Sequence, residues 1–293
     1  MLTLAPLLYR GIFAERGGPI AEVETSRVPV FDRSSFEATA YLKRDLGGKR
    51  DDRGAAGTMD GMGSSENAAE AQNIAISEAL ERWAFRETLQ SGSAAKYGFD
   101  HDRTSIGMAA FPGFKWQARR RARLEALERF AVVGWWDRQI PATVHRSPYP
   151  DVGMVRIRHN QTFGEVVLLY HQAPTGFVAY GHAAGSTLAT ATSRAAVRLV
   201  QSQYRIARHR ARGGITPRID RYEQRCLHYS GAEGHAEFQE RLKTGEQGRA
   251  PAWKPIFDGE IPGRWSHWTT VWRYCVEMPT YDFLDTRRRF FFW

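Results

Sequence analysis

Residues Ala75–Phe85 read AISEALERWAF, and residues Ala122–Val132 read ARLEALERFAV. The shared core, EALER followed by an aromatic residue and Ala, recurs at an offset of 47 residues. A third segment, Ala195–Gln201 (AAVRLVQ), keeps the apolar spacing but carries Arg198 and Gln201 where the first two carry glutamates. Ala, Leu, Glu and Arg favour helix. Apolar residues also return every three or four positions, at Ile74, Ile76, Leu80 and Trp83 and again at Leu124, Leu127, Phe130 and Val133. Each segment therefore reads as a helix with one buried face.

That spacing places carboxylates. Glu78 and Glu81 lie three residues apart, as do Glu125 and Glu128, so each pair shares a helix face with Cβ atoms about 5–6 Å apart. A carboxylate beside a buried stripe is poorly solvated and calls for a counter-charge. Four of them on two packed helices would suit Mg²⁺, a hard cation usually held by a few carboxylates and by nucleotide phosphates. A plainer account stands beside this one. Glu78 with Arg82 and Glu125 with Arg129 are i,i+4 pairs worth about 0.2–0.5 kcal/mol each on a solvated face. Either segment alone is then an ordinary amphipathic helix. A helical repeat array is disfavoured by the Gly/Pro-rich and strand-like stretches between the copies. A di-iron bundle is disfavoured because neither copy supplies the Glu-x-x-His it needs.

Outward from these segments, residues 1–40 mix short apolar pieces with Gly and Pro. Residues 44–67 are rich in Gly, Ser and Asp and read as a mobile loop, after which Ser64 or Ser65 would cap a helix running to about Gln90. A second helix is expected over Trp116–Trp136. Val152–His159, Glu165–His171 and Gly176–His182 alternate or are β-branched, which predicts a three-stranded meander. Helix returns over Thr187–Arg212 and stops at Gly213-Gly214 with Pro217 beyond. A helix near Ala232–Leu242, a Pro/Gly loop over 248–264 and a strand at Thr269–Met278 follow. This order argues α+β (mixed α/β) rather than a doubly wound sheet. Residues 1–54 read as an N-terminal segment and 55–293 as a single main domain.

Composition narrows the class. With 42% hydrophobic and 25% charged residues, the 293-residue chain is neither disordered nor fibrous, and no stretch approaches a membrane span. Cys226 and Cys275 are the only cysteines and form no CxxC pair, which excludes a disulfide framework or zinc finger and fits a reducing cytoplasm. The net charge of +9 favours an anionic partner. Basic runs at Arg119–Arg123, Arg205–Arg212 and Arg287–Arg289 lie outside any nucleic-acid module, so RNA binding is the weakest reading. His182, in a Gly-rich turn before the third helix, reads either as a structural histidine or as one near the site. The tail, RRRFFFW, reads either as a docking peptide or as a segment packed on the core.

The ordered set resembles the YcaO family of ATP-using enzymes that modify peptide backbones. That family has a Gly-Lys-Gly turn before Ser-x-x-x-Glu-x-x-Glu-Arg, a second helix with Glu-x-x-Glu-Arg, and a third with Glu-x-x-Gln. Here the matching residues are Gly61-Met62-Gly63, then Ile74 with Glu78, Glu81 and Arg82. Next come Glu125, Glu128 and Arg129, with Trp135-Trp136 downstream. Finally Gly181-His182-Ala183-Ala184-Gly185 leads into Arg194, Arg198 and Gln201. The resemblance covers about residues 55–245.

It implies ATP and Mg²⁺ as cofactors and an α+β fold in which the Glu-x-x-Glu helices pack on antiparallel sheet. It implies Glu78, Glu81, Glu125 and Glu128 as catalytic metal ligands. Gly61, Gly63, Arg82, Arg129, Arg198, Gln201 and Arg205 would lie about the nucleotide. The implied reaction phosphorylates a precursor-peptide amide and closes a thiazoline or oxazoline; thioamide or amidine formation is a variant. Implied partners are the precursor peptide, a leader-peptide-binding protein, a flavin dehydrogenase and a second copy of the chain. Met62 stands where the family has Lys, Ile74 where it has Ser, and Arg198 where it has Glu. The family's proline-rich tail is replaced by the basic-aromatic one. These departures keep open a non-catalytic subunit that binds peptide or scaffolds a complex.

Overall fold

The structure, a computed structural model, describes residues 3–46, 59–101, 104–211, 221–243, 251–284 and 291; the side chains of residues 221–223 are outside that description. In chain order the elements are α1 (Ala5–Leu8), β1 (Ile20–Val30), β2 (Arg33–Leu42), β3 (Gly61–Ser65) and α2 (Ala68–Gln90). Then come β4 (Met108–Phe111), α3 (Lys115–Trp136), β5 (Ala142–His145), β6 (Val152–Ile157), β7 (Glu165–Gln172) and β8 (Val178–Gly185). Helices α4 (Leu188–Ala211), α5 (Arg221–Ser230) and α6 (Ala232–Lys243) follow, then β9 (Pro255–Glu260) and β10 (Thr270–Val276). The α+β class expected from the sequence is the one observed. No helix among the described residues is long and apolar enough to cross a membrane. The chain divides into two units, Met1–Ala126 with Pro255–Val276, and Leu127–Lys254 with Glu277–Trp293.

The first unit holds two three-stranded antiparallel sheets, in the orders β1-β2-β3 and β4-β10-β9. Helix α2 packs across β2 and β3. Its face is a ladder of small residues, Ala71, Ala75 and Ala79, all fully buried. The strand beneath answers with glycine. A Cβ at Gly61 would stand 2.1 Å from the Ala75 carbonyl oxygen, and one at Gly63 would stand 2.0 Å from that of Ala71. Both contacts are with backbone, which cannot swing away. Gly61→Ala is therefore expected to lower stability by about 1–3 kcal/mol, as overpacking does, and urea melts will read it. Larger side chains close the core further along α2: Leu80 and Trp83, with Trp83 edge-on to Trp265 at 5.8 Å between ring centres.

Three expectations about this unit change. Part of the stretch read as loop is strand β3, so Ser64 and Ser65 are strand residues. The helix cap is Asn67, whose side chain accepts a bond from the Glu70 N–H at 3.1 Å. Residues 47–58 of the expected loop lie outside the described residues. The N-terminal stretch forms the long β1–β2 hairpin, turned by Phe31 at φ 55° and Asp32. Likewise β9 occupies part of the expected 248–264 loop and pairs with β10, the strand expected at Thr269–Met278.

The second unit is a four-stranded antiparallel sheet, β5-β6-β7-β8. It contains the expected meander plus one further strand, with α4 packed on β7 and β8. The glycine device recurs. A Cβ at Gly181 would meet the Leu199 N at 2.2 Å, and one at Gly185 would meet the Ala191 N at 2.3 Å. An aromatic cluster of Trp135, Trp136, Tyr180, Tyr229 and Phe238 surrounds Phe291, which is fully buried and stacked on Trp136 at 4.8 Å. At Phe291, then, the aromatic tail belongs to the core. The rest of that tail, including Arg287–Arg289, lies outside the described residues, as do Arg212, Gly213-Gly214 and Pro217. Helix α5 is an addition to the expected elements.

Candidate functional site

In the first unit, α2 carries Glu78 and Glu81, and the middle of α3 carries Glu125. Glu78 is half-buried and fixed at both oxygens. Its Oε2 accepts the Met62 N–H at 3.1 Å, and its Oε1 accepts Arg82 Nη2 at 2.6 Å. Arg82 is itself steadied by the Met59 carbonyl at 3.0 Å. Thus strand β3 contributes a backbone donor, not a side chain, to this carboxylate. Gly61 and Gly63 on either side of Met62 serve the close strand–helix contact described above.

Glu81 is in the most strained electrostatic position. Burial pushes its carboxyl well above the usual carboxylate range, and the charges of Glu125 and then Glu78 push it further. Arg82 and the Ala110 N–H pull the other way without prevailing. Glu78 has Arg82 as its cation, whereas at Glu81 burial and the neighbouring charges prevail. Carboxylate oxygens are the donors that a hard divalent cation takes, and such an ion would favour the charged form of Glu81. Among the described residues, no three His, Cys, Asp or Glu side chains are already drawn together as ligands of one ion.

Nearby lies a residue the sequence reading placed in a loop. Asp60 is buried, accepts the Leu42 N–H at 2.9 Å through Oδ2, and pairs with Arg86 at 3.1 Å through Oδ1. It ties β2 to the start of β3 and so holds Met62 in place. Only the Asp-Gly step at 60–61 hinted at it.

In the second unit, Glu128 is 4% exposed and has its oxygens occupied. Oε1 accepts from His182 Nδ1 at 3.0 Å and from Arg198 Nη1, while Oε2 accepts the Ala184 N–H at 3.0 Å. Arg198 also donates to the His182 carbonyl at 3.0 Å. Burial alone would raise the Glu128 carboxyl, but Arg198, His182 and the Ala184 N–H outweigh it and bring it down to about 2. This carboxylate already has its cation, so the donor set here does not fit a second divalent ion. The charge inversion at position 198 is legible in the sequence; its partner is not.

The other expected nucleotide residues are placed as follows. Arg129 is buried, its guanidinium 4.5 Å over the Phe283 ring, so it serves the interior of the second unit. Gln201 and Arg205 are half-buried on α4. His182 is structural, and the group it supports is Glu128.

No family model and no curated protein matches the sequence. Solved structures do. A YcaO protein from Methanopyrus kandleri, bound with AMPPCP and Mg²⁺, aligns over 97% of this chain and 92% of its own at a TM-score of 0.54 and 15% identity. This chain has the YcaO fold. Two structures of the E. coli microcin synthetase McbBCD complex, one with pro-MccB17 bound, agree. Each covers 87% of both chains at 13% identity, with TM-scores of 0.55 and 0.57. At these identities the likeness is one of architecture.

Proposed function

We propose that this YcaO-fold chain is an ATP- and Mg²⁺-dependent enzyme that activates a backbone amide of a peptide. The observation that carries the reading is the set Glu78, Glu81 and Glu125, where burial first and then the two neighbouring carboxylates disfavour the charge of Glu81 that a bound cation would favour. The nucleotide-bound YcaO structure is the protein whose fold this chain shares. When bound, Mg²⁺ would supply charge neutralisation to the triphosphate.

The residues of this chain would act by holding and orienting. Met62 N–H and Arg82 fix Glu78, Ala110 N–H fixes Glu81, and the pair Asp60–Arg86 fixes the strand that carries Met62. Arg198, half-exposed and held on Glu128, is a positioned guanidinium of the kind that binds phosphate bidentately. It offers a cation to phosphate within the second unit, with Gln201 and Arg205 further along the same helix. In the finer reading, a Cys, Ser or Thr side chain of the substrate adds to the preceding carbonyl. The resulting oxyanion takes the γ-phosphoryl group, and departure of phosphate with loss of the amide proton closes a thiazoline or oxazoline. An external sulfur or amine nucleophile would give a thioamide or amidine by the same activation. A peptide-capturing protein, a flavin dehydrogenase and a second copy of this chain are the proposed partners. Their support is that McbBCD is a complex.

The test is phosphate release from ATP on adding a Cys/Ser-containing precursor peptide with Mg²⁺ and the partner protein, read with the mass of the peptide. Loss of one water mass per ring is expected. Unchanged peptide and no phosphate would contradict the enzyme reading. One observation favours a second reading, a binding subunit without turnover: Glu128 is already neutralised by Arg198. That reading predicts peptide binding without phosphate release under the same conditions.

A further inference from the structure

Strand β1 is the outer strand of its sheet, and the face it shares with β2 tells which of its backbone groups are free. The hairpin has two turn residues, so Val30 and Arg33 form the closing hydrogen-bonded pair, and alternate pairs along the ladder are non-bonded. Pro29, opposite Ser34, falls in a non-bonded pair, as a residue without an N–H should. Counting back, Arg27, Thr25 and Val23 also stand opposite β2 without bonding to it, so their N–H and C=O groups point to the open edge. No hydrogen bond reaches those backbone groups among the described residues; the one contact is to the Thr25 hydroxyl, from Gln72 at 3.0 Å. The open rungs end at Pro29 on one side and at the irregularity between Ile20 and Glu22 on the other.

Only another extended chain satisfies alternating donors and acceptors of this kind. The side chains say which. On the sheet face away from α2, Glu22 and Glu24 lie on β1, with Glu37 on β2 opposite Ser26. Tyr41 donates to Glu24 at 3.2 Å, and Arg33, near the turn, is tied to Glu66 at 3.3 Å. In a chain of net charge +9 this face is acidic. A second copy gains nothing from these charges: antiparallel self-pairing centred on Glu24 sets that residue against itself, centring on Val23 sets Glu22 against Glu24, and centring on Thr25 leaves both glutamates opposite the uncharged Ser26 and Val28. We infer that the free edge of β1 binds an extended peptide with basic residues at alternate positions, and that the occupant is a basic stretch of the peptide substrate. Naming the substrate as occupant rests on the function proposed above; the edge itself does not.

The test uses the full chain without nucleotide and a labelled synthetic peptide of about nine residues alternating Lys and Thr, with a Glu/Thr peptide as control. Binding of the Lys/Thr peptide should protect the amides of Val23, Thr25 and Arg27 from hydrogen exchange and leave Glu22, Glu24 and Ser26 unchanged. Thr25→Pro, a change of the kind Pro29 already makes, should weaken binding about tenfold or more. The double variant Glu22→Lys with Glu24→Lys should weaken it about tenfold at low salt and less as salt rises, and it stands as the test if the proline variant does not fold. Equal binding of the Glu/Thr peptide, no protection at the three amides, or their protection by concentration-dependent dimerisation without peptide would each overturn the proposal. A chain that passes here yet fails to bind Mg²⁺-nucleotide keeps the edge and loses the enzyme.

Discussion

Glu128→Gln is expected to lower folding stability by about 3 kcal/mol at neutral pH, an effect that fades as the pH falls. In the folded chain its carboxyl sits at about 2, against an ordinary 4.5. A depressed carboxyl contributes stability that is fully present above the unfolded value and lost as pH drops through the folded one. The window is therefore about 4.5 down to about 2. The wild type should lose stability across that window, and the variant should not. The size follows from the separation of the two values at about 1.4 kcal/mol per unit. The amide keeps one oxygen for Arg198 and His182 but turns its NH2 toward the Ala184 N–H, which is left without an acceptor and adds to the loss. Urea melts from pH 7 to pH 3 check it. Parallel curves for the two proteins would show that Glu128 is not held as described.

Glu81→Gln is expected to move the apo protein the other way. Its carboxyl is raised by burial and by Glu125 and Glu78, so its charge opposes folding. A raised carboxyl gives its stability below the unfolded value and loses it as pH rises through the folded one. A neutral amide of the same shape removes that loss, so the Tm of apo Glu81→Gln should exceed the wild type at neutral pH and converge with it in acid. The same substitution deletes one of three proposed ion ligands, so Mg²⁺-dependent nucleotide binding should fall at least about 100-fold. Gain of stability with loss of binding is the signature of a site that tolerates repulsion because a cation relieves it. A loss of both would mean that Glu81 is an ordinary packing residue.

The fold was legible where burial is one-sided. Helices α2 and α4 show Ala and Leu at helical spacing because each lays one face on a sheet. Strands β6 and β7 show Val and Ile because they are largely buried. Strand β1 is invisible for the opposite reason: Glu22, Glu24, Thr25, Ser26 and Arg27 are exposed, so no alternation marks it. In β9, Pro255 and Gly259 mimic a loop, and α5 is short and charge-rich. At the site, the spacing of the glutamates was readable, but their partners were not. The Met62 contribution is a backbone N–H, which sequence does not encode by residue type. Whether Arg198 meets a phosphate or a carboxylate depends on the strand that brings His182 and Ala184 to Glu128.

The proposed function requires Glu78, Glu81 and Glu125 to form a divalent-cation site for a nucleotide. Isothermal calorimetry of the full chain with AMPPCP tests it most directly, with and without Mg²⁺, for the wild type and Glu81→Gln. Saturable binding that requires Mg²⁺ and is lost in Glu81→Gln is the predicted result. Binding that is indifferent to both Mg²⁺ and the substitution, or no binding by the wild type in complex with its partner protein, would contradict it.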